Sequence, residues 1–272
     1  MLRTFLRPGW VLIALLAIVF ATACFLILAP WQLGKNSDTE HRNDLIRAAA
    51  GTAAVPIDEL APAGQPFDTD TEWRSVAVTG RYLPDQQVVV RLRSKDERPA
   101  AEVLTPFRVD GSERVILVNR GFVRADDDNV FRAPAVTGEP TTLEGRLRKT
   151  EGTSPGKEPR TQDGALTAYT IDTGELADAT GLPFEAFYLQ LAAEQPGALD
   201  TASLPQLDSG PYLSYGLQWL AFGIMVPLGV VYFIYTEVKH RRKVAARSAD
   251  GDDAGAAAPD LDDARAAERR RI

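Results

Sequence analysis

Two apolar runs near the ends constrain this chain more than any other feature. Residues 11–29 carry no charge, and Trp10 and Trp31 bracket them. As a helix they extend roughly 28 Å, the thickness of a bilayer's hydrocarbon core. The second run, residues 215–235, has Gln218 as its one strongly polar side chain and Pro227 inside it. Arg3 and Arg7 precede the first run, and Lys239, Arg241, Arg242 and Lys243 follow the second. By the positive-inside rule both basic ends are cytoplasmic. The expected division is a cytoplasmic N-terminus (1–9), transmembrane helix (10–31), extracytoplasmic domain (32–211), transmembrane helix (212–235) and mostly disordered cytoplasmic tail (236–272). A cleaved signal peptide fits less well, because the first run is too long and lacks a small-x-small site followed by polar residues.

The middle segment, about 180 residues, is long enough for one compact domain. Its first part, 36–50, has helical character, and the Pro, Ala and Gly of 51–66 read as a loop. Short β-branched or alternating runs follow at 73–80, 87–93, 102–109, 114–118, 141–148, 168–171 and 187–191. Asp110-Gly111 between two of them is a hairpin signal. Residues 150–163 read as a loop. Thr173 is the expected N-cap of one small helix that stops at Gly181. The fold class is therefore a membrane protein in which two transmembrane helices flank one extracytoplasmic α+β domain. That domain is dominated by antiparallel strands, as a small sheet or barrel.

Residue usage excludes several functions. A net charge of −7 offers no basic face to nucleic acid. The single cysteine, Cys24, lies in the first apolar run and permits neither a disulfide framework nor a cysteine zinc site. Of the two histidines, His240 falls on the cytoplasmic side and His41 lies in a polar helix without signs of a poised base. Asp126-Asp127-Asp128-Asn129 lacks the spaced ligands of a calcium loop and reads as a turn. The chain is not expected to be an enzyme.

Three stretches carry a resemblance. They are Pro30-Trp31-Gln32-Leu33 at the outer end of the first helix, Leu117-Val118-Asn119-Arg120-Gly121-Phe122-Val123 in a strand, and Ser214-Tyr215-Gly216-Leu217-Gln218-Trp219 opening the second helix. Gly80-Arg81-Tyr82, Thr105-Pro106-Phe107 and Gly145-Arg146-Leu147-Arg148 are smaller matches. In order and spacing they resemble the Surfeit-locus protein 1 family of cytochrome oxidase assembly factors, bacterial type. The resemblance implies a bacterial plasma-membrane factor for aa3-type cytochrome c oxidase that assists delivery or insertion of haem a into the catalytic subunit. The implied cofactor is haem a, held transiently, and the implied partners are that subunit, haem a and the lipid bilayer. The chain departs from the family at Tyr212, where a histidine favoured as haem ligand is common. Phe122 likewise stands where tryptophan is usual.

Physical chemistry gives these residues two readings each. Tyr212, Tyr215, Trp219 and Phe222 follow helical spacing and form one aromatic stripe. It is either a stacking face for a flat macrocycle or an interfacial belt. Tyr212, Tyr215, Gln218 and Trp219 are the candidate haem a contacts that the resemblance implies; Trp31, Gln32 and Arg120 are weaker ones. Gln218 just inside the bilayer calls for another helix or an oxidase subunit. Arg120 either pairs with a haem propionate or anchors the fold, with Asn119 and Gly121 shaping a turn. The rival function is a membrane-anchored ligand-binding or sensor protein that signals inward through its tail.

Overall fold

The computed structural model describes residues 8–127, 130–207 and 209–256, with side chains as far as 244. Arg3 and Arg7, the second half of the 126–129 turn and the tail beyond 256 lie outside the described residues. The chain divides into a helical unit, Met1–Asp38 with Ser209–Ile272, and a β unit, Thr39–Asp208.

In the helical unit, α1 (Pro8–Ala23) runs through one π-helical turn (Cys24–Leu28) into α2 (Ala29–Ala49). The Ala29 N–H bonds to the Cys24 carbonyl, five residues back. Pro30 follows at once. It has no N–H to donate, and its ring opposes the carbonyl four residues earlier, so a widened turn lets the helix continue. The last helix, α5 (Tyr212–Ala256), runs through Pro227 and beyond residue 245, where the sequence reading places disordered tail. Both apolar stretches are long enough to cross a membrane, and little of either is buried. Leu26, Ile18, Leu228 and Val231 are exposed, the reverse of a soluble core helix.

Among the described residues the β unit has nine strands: β1 (Val55–Pro56), β2 (Ser75–Tyr82), β3 (Val88–Lys95), β4 (Arg98–Val109), β5 (Val115–Val123), β6 (Thr141–Lys149), β7 (Arg160–Gln162), β8 (Ala165–Ala168) and β9 (Phe184–Leu191). Their order is β1-β2-β6-β9-β5-β4-β3-β8-β7. Gly80, Arg81 and Tyr82 also pair with Val109, Arg108 and Phe107, which closes β2-β6-β9-β5-β4 into a five-stranded barrel. Alternation along β2 and β6 sends Val76, Val78, Leu143 and Leu147 inward, to meet Phe107, Ile116, Val118 and Leu189. A second core lies under α4 (Thr173–Thr180) and joins Leu176 and Ile171 to Val88, Val90, Leu104 and Leu117.

The barrel and the small helix match the expected class, with four differences. β1–β2, β3–β8 and β5–β9 are parallel, so the sheet is mixed. The 51–66 loop contains β1 and a helical turn, α3 (Ile57–Leu60), and the 150–163 loop contains β7. The strand expected at 168–171 lies earlier, as β8. Asp172 rather than Thr173 caps α4: its carboxylate accepts from the Gly174 and Glu175 N–H groups, while the Thr173 hydroxyl turns to Thr150. The stop at Gly181 is as expected, with φ 73°.

Candidate functional site

The helical unit brings two of the sequence motifs together. Gly216 is buried, and a Cβ placed on it would lie 2.7 Å from Leu33 Cδ2 and 3.8 Å from Gln32 Cβ. Two turns along, a Cβ on Gly223 would lie 2.8 Å from the Phe25 ring and 3.2 Å from Cys24 Cβ. Glycines seven residues apart share one helix face and let two backbones approach closely. Cys24 is therefore a packing residue, wholly buried in this seam.

The stripe flanks the seam. Trp219 and Phe222 are half-buried and meet edge to face, with ring centroids 5.9 Å apart. Tyr215 and Trp31 are exposed. Tyr212 is half-buried, with its ring folded back against Gly210. Gln218 is exposed, so it does not turn into the helix pair. Gln32 does turn inward: its Oε1 is buried without a hydrogen-bond partner among the described residues. An orphaned acceptor there is costly, and costlier still where no water reaches. No group of three His, Cys, Asp or Glu residues is positioned to hold a metal among the described residues. His41 is exposed and pairs with Asp70 at 3.2 Å. The flat ring faces fit a macrocycle; for iron, the stripe's described side chains offer the phenol oxygens of Tyr212 and Tyr215.

Arg120 belongs to the other unit and has another role. Val103 and Leu104 of β4 pair with Gly121 and Asn119, so Arg120 is the extra residue of a bulge in β5. A bulge re-aims its side chain, and here it points inward. The residue is 1% exposed. Its guanidinium donates to the Gly197 carbonyl at 2.7 Å, Gln87 Oε1 at 2.7 Å and the Pro134 carbonyl at 2.9 Å. Of the two readings of Arg120, this geometry is that of an anchor. Gly121 follows at φ 115°, where an added Cβ would meet the Asp200 carbonyl at 2.7 Å. The Leu199 and Phe122 N–H groups complete the junction by donating to Arg120 and Asp200 carbonyls.

All three motifs fall within one family match: the model of the SURF1 family covers residues 19–224. The chain belongs to the SURF1 family. SURF1-like proteins of Mycobacterium bovis and Mycobacterium tuberculosis are 45% identical to it over 248 residues, covering 91% of each chain. A SURF1-like protein of Monosiga brevicollis is 33% identical over 125 residues, or 42% of this chain and 44% of its own. The SURF1 family is linked to cytochrome oxidase assembly. Its match ends at residue 224, inside α5, and leaves out the basic cluster and the tail.

Sequence reasoning found the SURF1 motifs but missed what Gly216 and Gly223 do. The signal was present as two glycines at helical spacing in an apolar run. The bulge at Arg120 had no such signal, since a bulge depends on the partner strand.

Proposed function

We propose that this SURF1-family protein is a plasma-membrane assembly factor for aa3-type cytochrome c oxidase, assisting haem a delivery to the catalytic subunit. The observation that carries this reading is the contact of Gly216 with Leu33 and Gln32. It sets the Trp31-Gln32 motif beside the Tyr215–Trp219 motif, although they are far apart in sequence. The result is one patch with exposed ring faces, an orphaned acceptor on Gln32 and a free amide on Gln218. Stacking on Tyr215, Trp219 and Phe222 suits the macrocycle, and Gln218 suits a helix of the oxidase subunit. Tyr212 stands at the family's histidine position, so retention rests on ring faces more than on axial ligation. Such holding is transient, as delivery requires. No covalent change is involved, and both termini are assigned to the cytoplasm by the basic clusters.

The test is a reduced-minus-oxidised spectrum of membranes from a strain lacking the gene, with total haem A extracted in parallel. The expected result is loss of the a-type signal while haem A is still made, with recovery on re-expression. A normal oxidase spectrum and activity would overturn the proposal.

A further inference from the structure

A cleft in the β unit has a chemistry that the haem patch does not use. It encloses about 380 Å³ and is lined by Arg42, Glu72, Trp73, Arg148, Lys149 and Gln190, among others. That volume lies within the range of small-molecule sites and suits a short arm of a ligand better than a whole macrocycle.

The cleft is built on strain. Trp73 is 3% exposed and has φ 75°. A bulky residue rarely adopts that region and persists there only where its surroundings force it. Here the Trp73 N–H is fixed to the Leu147 carbonyl at 2.8 Å, and the Arg148 guanidinium carbon lies 3.7 Å from its ring centroid. The indole Nε1 is buried with no acceptor among the described residues.

The arginine is held from two further sides. Its Nε donates to Glu72 Oε1 at 3.1 Å and its Nη1 to Gln190 Oε1 at 2.7 Å. Gln190 is in turn held by the Ala202 carbonyl at 3.0 Å. Nη2 has no partner among the described residues. Glu72, 5% exposed, also faces Lys149 at 3.5 Å. Arg42 at the rim is exposed and bonds to none of the described residues. Three cations thus surround one carboxylate that two of them already share. A guanidinium locked in place with both Nη2 protons left over is a preorganised receptor for an oxyanion.

We propose that this cleft binds a carboxylate, with Arg148 Nη2 as the oriented donor and Arg42 and Lys149 supplying charge at the rim. The carboxylate class follows from the cleft alone. That its source is a propionate of the haem cargo, rather than an acidic side chain of a partner protein, rests on the proposed function.

The full chain in detergent, isotope-labelled at its indole nitrogens, is titrated with glutarate. The Trp73 resonance is identified by its loss in Trp73→Phe. A saturable shift of this resonance is expected, with affinity falling about tenfold or more in Arg42→Ala/Lys149→Ala. Both side chains are exposed, so the melting temperature should not move. No saturable shift, or unchanged affinity in the double variant, overturns the site. A second titration compares haemin with its dimethyl ester. Preference for the free acid, lost in the double variant, supports the haem source. Equal binding of acid and ester overturns that source and assigns the cleft to a partner's carboxylate. A glutarate response without any haemin binding counts against the proposed function and leaves the cleft standing.

Discussion

Arg120 Nε donates to the Gly197 carbonyl across 2.7 Å, tying the bulge of β5 to the segment that leads toward the second long helix. Tyr82 ties down the same segment, its hydroxyl donating to the Pro196 carbonyl at 2.9 Å. Among the described residues no carboxylate pairs with Arg120; its charge rests on neutral acceptors and on the Tyr82 ring, 6.0 Å away. Burial lowers the guanidinium pKa from its ordinary value.

Arg120→Ala would orphan several buried acceptors. The expected loss is about 3 kcal/mol. For a domain of this size that lowers the melting temperature by about 9 °C. Arg120→Lys should not restore it, because one ammonium cannot span the same acceptors. A thermal melt of the purified chain checks both. Unchanged melting with impaired haem binding would return Arg120 to a ligand role.

The glycine seam makes a sharper demand on the helix pair. Gly216→Leu and Gly223→Leu should each reduce the a-type haem signal severalfold at normal protein level, by forcing the helices apart. Gly229→Leu is the control, since a Cβ there meets nothing within 4 Å. Equal effects at all three positions would point to loss of insertion rather than loss of pairing.

Alkaline pH should loosen the β unit. Burial holds the phenols of Tyr82 and Tyr188 well above their usual range, with Arg120 and Arg148 respectively pulling the other way. An unfolded tyrosine ionises near about pH 10. Their stabilising contribution is therefore complete below that pH and falls as pH rises through it. Denaturant midpoints should begin to drop at about pH 10 and keep falling as pH rises further, because the folded phenols ionise well above that pH. Tyr82→Phe should flatten the drop, at a cost of about 1 kcal/mol at neutral pH from the lost hydrogen bond.

Removing residues 245–272 should leave oxidase assembly intact, because the family match ends at residue 224. The a-type spectrum of a strain carrying the truncated gene checks this. Loss of assembly with stable protein would favour a receptor that signals through its tail.

The legibility of these features depended on how local their causes are. β2, β5 and β6 were readable because β-branched and alternating residues state their own burial. The helix pair was readable because a bilayer demands long apolar runs. The cap of α4 was misplaced by one residue, because Asp172 and Thr173 are both competent caps and Thr150, 23 positions away, takes the second. β7 is three residues of polar chain that, among the described strands, pair with β8 alone. The cluster at Trp73 joins residues from five stretches of chain, and its positive φ has no signature in a tryptophan. The sequence leaves Arg120 open between a propionate ligand and an anchor; its burial follows from a register shift against β4, which depends on the partner strand.

The position of β9 carries a consequence for how the protein is made. This strand is the last of the nine to be synthesised, yet it lies between β6 and β5, antiparallel to one and parallel to the other. Until Leu191 has left the ribosome, the barrel has two open edges and no means of closing them. Only about twenty residues then separate β9 from the start of α5. Such non-local pairing is slow, so closure of the domain and emergence of the second long apolar helix fall in the same interval. A chain held up before that point would leave those edges open to chaperones and proteases, and yield would be decided there.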